Sequence, residues 1–126
     1  MRELTTTMGE QRLTLIANFR TSKQIAAQID DPLMIVREIS MSTVMAENHI
    51  PYTPKFQFTI DNIADFIYIG VKEGDAAVTL EQIQELVFEH GFFNSQAIAT
   101  DFLSIIVGPK SEEPSDDVAG KDAPGK

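Results

Sequence analysis

TIDNIADFIYIGVKEG, Thr59 to Gly74, is the stretch that decides the fold. Ile60, Ile63, Ile67 and Val71 recur at three- and four-residue steps, the spacing of one helical face. Phe66, Tyr68 and Ile69 add apolar surface around the other sides of its second half. A helix that is apolar most of the way round belongs at the centre of a core. Thr59 or Asp61 is placed to accept a hydrogen bond from the free amides of the first turn. Gly74 is placed to end the helix in a left-handed conformation.

Around this helix, 126 residues with a hydrophobic fraction of 43% are enough for one domain with a real core. The formal net charge of −9 at pH 7 disfavours phosphate backbones and anionic lipid, so neither nucleic acid nor membrane is an expected partner. It suits high solubility and a basic partner. The absence of cysteine excludes disulfides and thiolate metal sites. No apolar run is long enough to cross a bilayer, and MRELTTTMGE has no signal-peptide core, so a cytoplasmic protein is expected.

Before the central helix, Arg2 to Thr7 and Gln11 to Asn18 flank a break at Met8-Gly9-Glu10. Threonine and apolar residues alternate there, which predicts a short β-hairpin that must pack on helices to be stable. Thr21 or Ser22 then caps a short helix, SKQIAAQI, with Ile25 and Ile29 facing the core. Asp31 is a good N-cap and Pro32 is preorganised for the first position of a helix reaching about Asn48. HIPYTPK, His49 to Lys55, is a fixed irregular connection, and Phe56 and Phe58 cover one end of the core.

After it, Thr79 and Gln82 have capping-box spacing, with Val78 and Ile83 placed as a hydrophobic staple. Ile83, Leu86, Val87 and His90 follow at helical steps, and Gly91 ends that helix. Phe92 and Phe93 fall in the joint, and Asn94 or Ser95 caps a last helix to about Val107. Gly108-Pro109 stops it. The remainder is rich in Pro, Gly, Ser and acid, and cannot bury enough surface to offset the entropy of ordering. The expected architecture is mainly α. A small N-terminal hairpin packs on about five helices over residues 1–108, and a disordered acidic tail occupies 109–126.

Catalytic patterns are missing from the sequence. His49 and His90 have no partner spacing that suits a metal, and His90 is better placed to interact with the carbonyl end of its helix. The pair Asp30-Asp31 is explained by capping, while Glu112-Glu113 and Asp116-Asp117 are solvated charges. No serine sits in a nucleophile turn and no glycine cluster cradles phosphate, so no enzyme activity, metal or cofactor is expected. Met34, Met41 and Met45 form a stripe that either fills gaps in the core or lines a contact surface. Of Phe92 and Phe93, one is expected to anchor the joint and the other to be exposed as a contact.

The order of phrases FRTSKQIAAQIDDPLMIVREI, IADFIYIGVKEGD and VTLEQIQELVFEHGF resembles the tail assembly chaperones of long-tailed phages, especially those of phage-like gene transfer agents. The resemblance runs from about Arg12 to Val107 and rests on apolar spacing and turns, with Tyr68 to Gly74 matching the family's "hIGl+aaG"-like phrase. It implies a non-enzymatic assembly factor that binds the tape-measure protein and keeps it soluble until tail-tube subunits polymerise around it. The tail tube protein is then a second partner, and self-association is expected. The family is often also made in a longer form by ribosomal frameshifting. Gly108-Pro109-Lys110 can be encoded GGC-CCA-AAA, which holds a slippery heptamer. On this reading Met34, Met41, Met45, Phe92 and Phe93 are the candidate contacts. Two rival readings are a structural virion component, such as a head–tail connector or tail-completion protein, and a small regulatory enzyme or ligand-binding domain.

Overall fold

The computed structural model describes residues 2–109. Within them a hairpin, β1 (Arg2–Met8) and β2 (Gln11–Ala17), precedes α1 (Phe19–Gln28), α2 (Pro32–Glu47), α3 (Ile63–Gly74), α4 (Leu80–His90) and α5 (Phe92–Val107). This is the expected mainly α fold with an N-terminal hairpin and, among the described residues, five helices. Residues 110–126, most of the expected tail, lie outside the described residues.

The strands pair antiparallel, with Met8 opposite Gln11 and Arg2 opposite Ala17. Gly9 takes φ 61° and Glu10 keeps a negative φ, the requirement of a type II′ hairpin turn. Met8 belongs to the strand rather than to the break and is fully buried. Leu13, Leu15, Ile16 and Ala17 are buried as well, so β2 departs from simple alternation at its end.

The central helix is where the sequence places it. α3 packs against β2, α1, α4 and α5. Ile63, Ala64, Phe66, Ile67, Ile69, Gly70 and Val71 are all buried. Phe56, Phe58, Phe66 and Phe102 form a run of edge-to-face rings with centroids 5.2, 5.1 and 5.9 Å apart. Such pairs add to simple area burial, because the positive edge of one ring meets the negative face of the next. The run ties the segment before α3 to α5 through the core.

α3 starts later than expected, although Thr59 accepts from a turn amide as expected, and its end differs from expectation. Ile60 precedes the helix and is exposed, so the buried face begins at Ile63. Thr59 and Asn62 bond reciprocally across the turn: the Asn62 amide donates to Thr59 Oγ1 at 3.2 Å, and the Thr59 amide to Asn62 Oδ1 at 2.8 Å. Gly74 is the last helical residue and has no positive φ. A Cβ there would meet Ile16 Cγ1 at 3.0 Å, so close approach to β2 is what its missing side chain permits.

The caps explain the other helix ends. Asn18 caps α1 in a box with Thr21, which is buried, so the helix starts earlier than the Thr21 or Ser22 cap would place it. Asp31 caps α2 as expected, accepting from the Leu33 amide at 2.8 Å. α2 ends in a Schellman arrangement: the Ile50 amide bonds Met45 O, and the His49 amide bonds Ala46 O. His49 occupies its left-handed position, φ 58°. The expected Thr79–Gln82 box opens α4. Gly91 (φ 99°) separates α4 from α5 in a single residue, and no side chain caps α5. Phe92 and Phe93 are therefore in the helix rather than in a joint before it, and the amide of Ser95 bonds Gly91 O.

Two charged contacts close the fold. Glu73 Oε2 accepts from Asn18 Nδ2 at 2.9 Å and Arg20 Nε at 3.1 Å, fixing the start of α1 to the end of α3. Arg2 Nη1 donates to the carbonyls of Ile105 (2.7 Å) and Gly108 (2.6 Å). α5 has no basic residue in its last turn, and β1 supplies the positive charge that its free carbonyls favour. Arg2→Ala should lower stability by about 1–2 kcal/mol, charge-assisted bonds at a helix C-terminus being worth that much. Urea denaturation at neutral pH would measure it, and an unchanged midpoint would show that water replaces the guanidinium without loss.

Candidate interaction surface

The α4–α5 junction turns on one glycine, and this places aromatic side chains from both helices beside the turn that leads into α3. Phe88, Phe93 and Ile60 are 73%, 89% and 70% exposed. Phe92 is half-buried and meets Phe88 edge-on, with centroids 6.2 Å apart. One groove, about 430 Å³, is lined by Phe58, Thr59, Ile60, Ile63, Phe92, Phe93 and Gln96. The next, about 340 Å³, shares Ile60 and Phe92 and adds Asp61, Ala64, Gln84, Val87 and Phe88. A third continues along α4, lined by Glu81, Gln84, Glu85, Phe88 and Glu89. The grooves adjoin through shared side chains, Ile60 and Phe92 between the first two and Gln84 and Phe88 between the last two. They make a trough that is apolar near Phe93 and lined mostly by carboxylates and amides along α4.

Phe92 and Phe93 divide as the sequence implied: the first anchors, the second is exposed. Ile60 and Phe88 belong to this surface and were not among the candidates. The signal for Phe88 was its offset from the buried steps of α4, Ile83 and Val87. Ile60 was hidden because its spacing continues that of α3, although the chain there is a turn. Met34, Met41 and Met45 are half-buried on α2, and none lines these grooves. Phe19 and Leu33 are exposed elsewhere and line none of them either.

The HIPYTPK connection is held by a residue that sequence reasoning passed over. Glu38 is buried on α2, and its Oε1 accepts from the Lys55 amide (2.8 Å) and from Tyr52 Oη (2.7 Å). The Lys55 amide first, then the Tyr52 hydroxyl, holds the Glu38 carboxyl below its usual range. The same bond raises Tyr52. A depressed carboxyl stabilises the fold above its unfolded value, and that contribution is lost as pH falls through the carboxylate range. A raised phenol stabilises below its unfolded value, and that contribution is lost as pH rises past its folded one. The clamp is thus complete at neutral pH and opens at both extremes. Protection of the Lys55 amide from hydrogen exchange should follow this window, and Tyr52→Phe should remove its alkaline edge while leaving the acid one.

His90 links two elements: it lies in the last turn of α4, and the Gly9 amide donates to its Nδ1 at 3.2 Å, joining that helix end to the hairpin turn. Among the described residues no three His, Asp or Glu side chains are grouped to hold a metal ion, and no helix is long and apolar enough to cross a membrane. Comparison with family models, with curated proteins and with solved structures finds no match for this chain.

Proposed function

We propose that this protein is a non-enzymatic assembly chaperone for the tail of a phage-like particle, binding the tape-measure protein and keeping it soluble while the tube forms. The supporting observation is the trough of Ile60, Phe88, Phe92 and Phe93. Neighbouring large apolar side chains left in water mark a contact surface, whereas scattered ones need no explanation. A tape-measure protein is long and helical, with apolar stripes, and a groove of this kind receives such a helix. The chain's negative charge keeps the resulting complex from aggregating.

Co-expression with the long helical protein encoded nearby tests the reading, using the full chain and a version stopped at Gly108. The partner should become soluble and co-purify, and the truncation reports whether residues after Gly108 take part. A partner that stays insoluble beside well-folded full chain counts against the reading. An assembly chaperone leaves the finished particle, so mass spectrometry of purified particles should not find this chain. Stoichiometric recovery there would make it a head–tail connector or tail-completion component instead.

A further inference from the structure

We infer, building on the chaperone reading, that the segment received by the trough is an amphipathic helix whose apolar stripe is flanked by lysine or arginine on the side facing α4. Glu81, Glu85 and Glu89 are four residues apart and form one row along α4. Asp61 adds a further carboxylate to the groove lining. No lysine or arginine lines any of the three grooves. Among the described residues, none of these four carboxylates forms an ion pair within the chain. An acidic or neutral flank would face uncompensated like charge, whereas a basic one meets complementary potential and is steered to the site. The spacing suits a helix too: the Phe88 and Phe92 centroids are 6.2 Å apart, close to the rise of one helical turn, about 5.4 Å. Successive stripe residues of the partner then meet successive rings.

The test uses designed peptides of about 18 residues, five helical turns, with leucine at i, i+3, i+4 and i+7. One carries lysine beside the stripe, another glutamate. Titrated into the full chain, the lysine peptide should bind at least about tenfold more tightly at low salt, and the gap should shrink as salt screens it. The triple variant Glu81→Gln, Glu85→Gln, Glu89→Gln should keep its circular dichroism and lose most of that preference. Equal affinity for both peptides, or a preference untouched in the triple variant, overturns the inference. Co-expression separates the two levels. If the triple variant solubilises the tape-measure protein as well as the unaltered chain does, the basic flank is refuted while the chaperone reading survives. If the peptide preference appears as stated but the tape-measure protein is never solubilised, the chaperone reading fails and the preference of the surface stands.

Discussion

Phe102→Ala is expected to remove about 3–5 kcal/mol of stability, the usual effect of deleting a buried aromatic ring and leaving a cavity. A domain of this size is stable by roughly 5–15 kcal/mol, so the variant approaches the folding threshold. The reason lies where α5 crosses α3. Phe102 is fully buried and meets Phe66 edge-on. Its ring also lies directly over Gly70: a Cβ at that position would fall 2.7 and 2.8 Å from two ring carbons and 3.0 Å from Leu15 Cβ. Glycine in mid-helix costs about 1 kcal/mol against alanine, so Gly70→Ala gains on propensity alone. Overpacking costs about 1–3 kcal/mol and outweighs that gain here, because the neighbours are a fixed ring and a strand side chain. Gly70→Ala should therefore destabilise the natural chain and cost less in a Phe102→Leu background, where the two clashing ring atoms are gone. A double-mutant cycle by denaturant unfolding checks this. If Gly70→Ala costs the same in both backgrounds, the ring is not what requires glycine.

Much of this fold was legible because its signals are local. Asp31-Pro32 and the Thr79–Gln82 box mark helix starts through side chains that reach only two or three residues. The apolar run from Ile63 to Val71 declares a central helix without knowledge of its neighbours. Other features carry no such recognisable signal. Asn18 continues the alternating pattern of β2, and its box partner Thr21 is not the Glu or Gln that marks a capping box. Arg2 reaches carbonyls 103 and 106 positions later, which no spacing rule connects. Gly70 and Gly74 are set by what packs on them, Phe102 and Ile16, rather than by backbone conformation. The trough falls between these cases. Phe92 and Phe93 were visible as adjacent aromatics beside a glycine, but Ile60 and Phe88 join them only once α4 and α5 fold back at Gly91.

The largest functional effect should come from Phe88→Ser with Phe93→Ser. Both side chains are mostly in water, so the folded chain should lose no more than about 1 kcal/mol, chiefly the Phe88–Phe92 edge contact. Against a bound helix the same rings would be central aromatic anchors, each worth about 2 kcal/mol or more, roughly thirtyfold in affinity. The double variant should thus stay folded by circular dichroism yet leave co-expressed tape-measure protein in the insoluble fraction. Met34→Ala, Met41→Ala and Met45→Ala should differ from that variant in leaving capture intact. Their side chains are half-buried on α2, outside the core cluster, and line none of the grooves, so truncation should change both melting temperature and capture little. Capture lost at unchanged stability would extend the contact surface to α2. Capture retained by the Phe88/Phe93 variant would remove the trough from the interface, since exposed rings that make no contact have no other means of holding a partner.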